Sequence, residues 1–188
     1  MKKFMPWLII IIVIIAIGAF IFSAYNGIAV SREAVDTQQA NIDSQLQRRS
    51  DLIPNLMSTV KGFAQQEKDV IASVTEARSK LAGAQTMPQK AEADTALSGA
   101  LSRLLMVVEN YPTLKSDATF ISLMDELSGT ENRIAVARND YNQSVKEYNS
   151  LIIKFPAKII ASVFGFDKAE YFQASDAAQS VPEVDFTK

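Results

Sequence analysis

"QRRSDLIPNL", residues 47–56, sets two arginines and an aspartate in front of a proline, in a chain that otherwise reads as helix on both sides. Its reading decides whether one helix continues or two helices meet. With Asp51 as N-cap, Pro54 falls in the first turn of a new helix. There its missing N–H costs little, and the aspartate accepts from otherwise unpaired donors. Arg48 and Arg49 then close the preceding helix, where positive charge complements the helix dipole. The stretch therefore predicts a corner at the tip of a helical hairpin. Arg48, Arg49 and Asp51 would form a solvated capping cluster there, or a surface on which a partner docks.

Upstream, "FMPWLIIIIVIIAIGAFIFSAYNGIAVS" runs from Phe4 to Ser31 without a charge. Such a run predicts a membrane-spanning helix. Trp7 and Tyr25 bracket it roughly 27 Å apart, near the hydrocarbon thickness, with rings suited to the two interfaces. Cleavage after Ala24 would put bulky Phe22 where a small residue is needed, so the segment reads as a retained anchor. Lys2 and Lys3 precede the span, and only Arg32 follows it closely, among acidic residues. The positive-inside rule then puts the N-terminus in the cytoplasm and the bulk of the chain outside it. Ala19, Ser23 and Gly27 recur every fourth residue as a stripe against which a second span could pack, although small residues also occur in membrane helices without a partner.

Downstream the helical period dominates. Ile28, Val35, Ile42 and Leu46 extend the span into a first soluble helix to about Arg49. A second helix is expected from Asp51 to Leu81, burying Leu56, Val60, Phe63, Val70, Val74 and Leu81. Gly83 and Pro88 mark the loop after it, and a third runs from Ala91 to Glu109 on Leu97, Leu101, Leu104 and Val108. Ser116 or Asp117 caps a fourth, whose seam is Phe120, Met124, Leu127, Glu131, Ile134, Arg138, Tyr141, Val145, Tyr148 and Ile152. Glu131 and Arg138 lie too far apart along one helix to pair. Each needs a partner on another helix, Lys61 or Arg103 for Glu131 and Glu67 for Arg138, or access to water. They form either a polar groove or a layer fixing helix register, and the second reading is preferred.

Composition limits the chemistry. The 188 residues are 48% hydrophobic, with formal net charge −2, no cysteine and no histidine. That inventory removes thiolate and imidazole metal sites, cysteine nucleophiles and Ser-His-Asp triads, and the acidic balance argues against nucleic-acid binding. No cofactor is expected. A rival, hydrolytic or accessory-enzyme reading would need Asp51, Glu67 and Glu131 to converge in one cleft.

Four ordered blocks carry a resemblance: "YN" at 25–26, "RRSDLIPNLMSTVKGFAQQE" at 48–67, "SGTENRIAVARNDYNQSVKEYN" at 128–149 and "FPAKIIASVFGF" at 155–166. Together they resemble the LemA family over about Tyr25 to Phe172. The resemblance implies an all-α fold, an N-terminal transmembrane helix continuing into an up-and-down four-helix bundle. It implies a membrane-associated protein of the bacterial envelope, with no established general activity, some of whose relatives help to build magnetosome membranes; the inner membrane is the expected location. The expected divisions are a membrane anchor over 1–25, the bundle over 26–154, and an apolar segment with an extended tail over 155–188.

In an up-and-down order the fourth helix ends back near the bilayer. The apolar run that follows, Phe155, Ile159, Ile160, Val163, Phe164 and Phe166, is flanked by Lys154, Lys158 and Lys168. It is too short to span. It could lie in the membrane interface, contact another subunit, or pack as a fifth helix on its own bundle. The polar, acidic tail from Gln173, with Pro182, is expected to extend or to wrap a neighbour. The preferred expectation is a non-catalytic scaffold, self-associating through the small-residue stripe and this apolar run. Its partners would be the lipid bilayer, further copies of itself and an envelope protein.

Overall fold

The structure is a computed structural model that describes residues 5–173; Lys2, Lys3 and the tail beyond Gln173, Pro182 included, lie outside the described residues. Every regular element among the described residues is an α-helix. In order these are α1 (Met5–Phe63), α2 (Lys68–Gly83), α3 (Met87–Val108), α4 (Pro112–Lys115), α5 (Ala118–Ile153) and α6 (Ala157–Phe164).

The corner expected at Asp51 is absent. Helix α1 runs unbroken through Pro54 for 59 residues, and Asp51 is an exposed mid-helix residue that accepts a hydrogen bond from Gln47 at 2.7 Å. The reason lies one turn back. A proline at 54 removes the donor that would serve the Ser50 carbonyl, which ordinarily ends or kinks a helix. Here Nε of Arg78, on α2, donates to that carbonyl at 2.9 Å. The orphaned acceptor is satisfied from another helix, and the chain continues.

The turn comes instead at Ala64–Glu67, with Ala64 buried and bonded through its N–H to Val60 at 2.8 Å. Phe63, expected in the core, is consequently exposed. Pro88 lies in the first turn of α3 and not in a loop. Thr86 caps that helix: its hydroxyl accepts from the Gln89 N–H at 3.3 Å, while the Gln89 side chain accepts from the Thr86 N–H at 3.2 Å. Of the two expected caps for α5, Asp117 is the one used, accepting from the Phe120 N–H at 2.9 Å.

The chain packs as two compact units. Among the described residues, one comprises residues 5–39 with Asn142–Ala169; the other comprises Ala40–Tyr141 with residues 170–173. In the first, Ile28, Val35, Val145, Tyr148 and Ile152 are buried between α1 and the end of α5. In the second, buried residues of α1 (Ile42, Leu46, Leu56, Val60), α2 (Val74, Leu81), α3 (Leu97, Leu101, Leu104, Val108) and α5 (Phe120, Leu127, Ile134, Tyr141) form the core. Every position of the seam read from the α5 sequence is buried or half-buried.

Candidate functional site

Arg49 is the centre of the second unit. Its side chain, only 5% exposed, reaches Oδ1 of Asp94 at 2.6 Å and Oε2 of Glu131 at 2.7 Å through Nη1. Nη2 donates to the Ser98 hydroxyl at 2.9 Å, and Nε is buried without a hydrogen-bond partner. A planar guanidinium suits this role because its fork holds several acceptors in one plane. Three helices, α1, α3 and α5, are thereby joined at one charge, and Arg78 on α2 binds the neighbouring Ser50 carbonyl. Asp94 is as deeply buried as Arg49. Burial raises its carboxyl above the ordinary value, against the pull of Arg49 and with a further push from Glu131. Glu131 keeps nearly half of its side chain in water, yet its Oε2 is buried and, like Arg49 Nε, without a hydrogen-bond partner, so it is held to Arg49 by charge alone.

The seam reading gave Glu131 a partner on another helix or access to water, and the partners it named are not the one in the structure. The partner is Arg49, not Lys61 or Arg103. Arg138 likewise does not meet Glu67; its guanidinium lies 4.8 Å from the ring centroid of Phe172, a cation–π contact. Glu67 accepts instead from the Tyr111 hydroxyl at 2.9 Å. Arg48 pairs with Glu126 at 2.9 Å on the exposed side of the unit. Asp51, Glu67 and Glu131 thus have three separate partners, and among the described residues no three metal-capable side chains come together. An open groove of about 870 Å³ beside α2 is lined by Lys61, Gln65, Lys68 and Ile71 with one carboxylate, Glu76, already paired to Lys80 at 2.9 Å.

The first unit is organised around aromatic rings and backbone. Tyr25 meets Phe164 edge-on at 5.0 Å and Phe166 at 5.5 Å between ring centroids. Pro156 precedes α6, and Gly165 ends it at φ 74°, a left-handed turn that few side chains tolerate. The Phe166 N–H then returns to the Ala161 carbonyl at 2.9 Å. Past the turn, α5 holds the extended chain. The Tyr148 hydroxyl donates to the Asp167 carbonyl at 2.8 Å. The Asn149 side chain both donates to the Ala169 carbonyl and accepts from its N–H, each at 2.9 Å.

Of the residues expected to mediate self-association, Ile160 is corrected: it is only 6% exposed and packs inward. Phe166 is half-buried, whereas Phe155, Ile159, Val163 and Phe164 are exposed. Ala19, Ser23 and Gly27 are exposed on α1, as is Trp7. Helix α1 is long and apolar enough to cross a membrane, and none of its most apolar window is buried.

Residues 38–186 match the LemA family model. The chain belongs to the LemA family. Among its relatives, "Magnetosome protein MamQ 1" of Paramagnetospirillum magneticum is 31% identical, the match covering 89% of this chain and 71% of that protein. "Magnetosome protein MamQ" of Magnetospirillum gryphiswaldense is 29% identical over 92% of this chain and 74% of its own. "Protein LemA" of Metamycoplasma hominis is 26% identical over 89% of this chain and 78% of its own. The matched region of this LemA family chain takes in both Arg49 and α6, but the apolar part of α1 precedes it.

Proposed function

We propose that this LemA family chain is a non-enzymatic scaffold of the bacterial envelope, anchored in the inner membrane by α1 and self-associating to organise membrane or to recruit an envelope protein. The observation that carries this reading is the apolar length of α1, none of which finds a protein surface to bury it. In water such a helix would be an aggregation site, and in a bilayer it is satisfied. The anchor crosses once, with the N-terminus cytoplasmic and the bulk of the chain after it outside. The exposed stripe of Ala19, Ser23 and Gly27 allows close approach of another copy. The relatives' names as magnetosome proteins are in keeping with work at a membrane. Separate partners for Asp51, Glu67 and Glu131 lend no support to a carboxylate-based hydrolase.

The test is mass determination and imaging of the full-length protein extracted gently with its native lipids. A closed or extended assembly is expected, and it should shrink when Ala19, Ser23 and Gly27 are replaced by Leu. A monomer at every lipid and protein concentration would overturn self-association.

A further inference from the structure

Helix α6 is amphipathic and held in a fixed place. Ile160 and Ala161 face inward. Ile159 and Val163, spaced four apart, fall on one side of the helix and are 57% and 72% exposed, and Phe155, just before the helix begins, is 82% exposed. Phe164, which also touches Tyr25, extends this apolar surface. The segment cannot turn its apolar face away. Its N-terminal end is tied to α5 through the short link at Pro156. Its C-terminal end is tied by the Gly165 turn and by the bonds from Tyr148 and Asn149 to residues 167 and 169. Its ring contacts fix it beside Tyr25, at the end of the stretch of α1 whose length matches a hydrocarbon core.

We propose that α6 is a second membrane contact, a monotopic helix whose exposed Ile159, Val163 and Phe164, with Phe155 just before them, lie in the interfacial layer of an anionic bilayer beside the spanning helix. This rests on the reading of α1 as a span. Two observations identify the occupant as lipid. The apolar face is continuous, through the contacts of Tyr25 with Phe164 and Phe166, with the helix that would emerge from the bilayer at that point. Lys154, Lys158 and Lys168 are all exposed around it, the arrangement by which interfacial helices hold anionic headgroups while apolar side chains enter the acyl boundary. At about 12 Å, α6 is too short to cross. It therefore adds breadth to the anchor and sets how the α5 end of the first unit meets the surface.

The absence of cysteine from the chain makes site-specific labelling clean. Full-length Ile159→Cys and Ile14→Cys, each carrying an environment-sensitive fluorophore, are reconstituted into phosphatidylcholine vesicles with and without phosphatidylglycerol. The Ile159 label is expected to emit to the blue, to be quenched by brominated lipid and to be shielded from aqueous iodide, more so with phosphatidylglycerol. Replacing Lys154, Lys158 and Lys168 together by Ser should remove that lipid dependence and leave the Ile14 label unchanged. An Ile159 label open to iodide overturns the proposal. So does one shielded from both quenchers that self-quenches as copies per vesicle increase, because a second copy then covers the face. Lipid quenching without any response to phosphatidylglycerol overturns the headgroup assignment. An Ile14 label open to iodide would instead overturn the spanning reading itself.

Discussion

The two units hold their helices together by different chemistry. In the second, a single buried guanidinium on α1 joins α3 and α5, and another on α2 completes the hydrogen bonding of α1 at its proline. In the first, α5 side chains bond to backbone through Tyr148 and Asn149, the Arg32 guanidinium of α1 lies 5.7 Å from the Tyr148 ring centroid, and an aromatic cluster around Tyr25 holds α6. Buried charge is costly and intolerant of loss, so it enforces one register. Neutral side-chain bonds and ring contacts are weaker singly, and losing one releases only the segment it held. The second unit is thus expected to fail as a whole, and the first to loosen locally at α6.

Breaking the charge centre should give the largest effect. Arg49→Met in the full chain leaves Asp94 buried without its cation and is expected to cost roughly 3–5 kcal/mol, read from denaturant unfolding of the detergent-solubilised protein. Arg49→Lys should restore only part of this, since an ammonium lacks the planar fork. A loss no larger than that of an exposed ion pair would end the contrast between the units.

Next comes the proline. Arg78→Met should cost roughly 1.5–3 kcal/mol by orphaning the Ser50 carbonyl. In a Pro54→Ala background, where residue 54 regains its N–H, the same substitution should cost much less. Equal costs in the two backgrounds would mean that Arg78 does not act through that carbonyl.

In the first unit, Asn149→Ala should cost about 0.5–1.5 kcal/mol for each of the two bonds lost, and Tyr25→Leu about 0.5–1.5 kcal/mol for the ring contact. Amide hydrogen exchange is the sharper readout. Faster exchange confined to α6 and the chain after Gly165 is expected; acceleration spread over α2 and α3 would contradict local loosening.

The smallest expected effect is one of pH. The native Asp94 carboxyl is raised above its ordinary value of 3.8, so the folded state binds its proton more tightly than the unfolded state does. The contribution to stability is complete below the unfolded value and is lost as pH rises through the raised native value. Unfolding midpoints over an acidic series should therefore carry a component that strengthens with acid, absent in Asp94→Asn. Tyr25→Leu should leave that component untouched, since it lies in the other unit.

The α5 seam and the core positions of α3 were legible because helical periodicity is local: burial follows from neighbours three and four residues away. The same locality made Pro54 misleading. A proline with an aspartate three residues ahead fits a helix start, and nothing within a few residues reveals that Arg78 will serve the carbonyl left open. Glu131 was legible as a seam charge needing a partner or access to water. Its identity was not, because several cations were compatible with the spacing and only packing brings one of them to 2.7 Å.

By itself the sequence determined the all-α class, the apolar helix long enough to span a bilayer, and membership of the LemA family, each written in contiguous runs of residue type. Only the tertiary structure decided that α1 passes straight through Pro54, that Arg49 lies buried at a charge centre and not at an exposed tip, and which face of α6 is left uncovered. The physical reason is common to all three. An unpaired carbonyl, a buried charge or an apolar face is costly or harmless according to what stands opposite it, and that is supplied by residues distant along the chain.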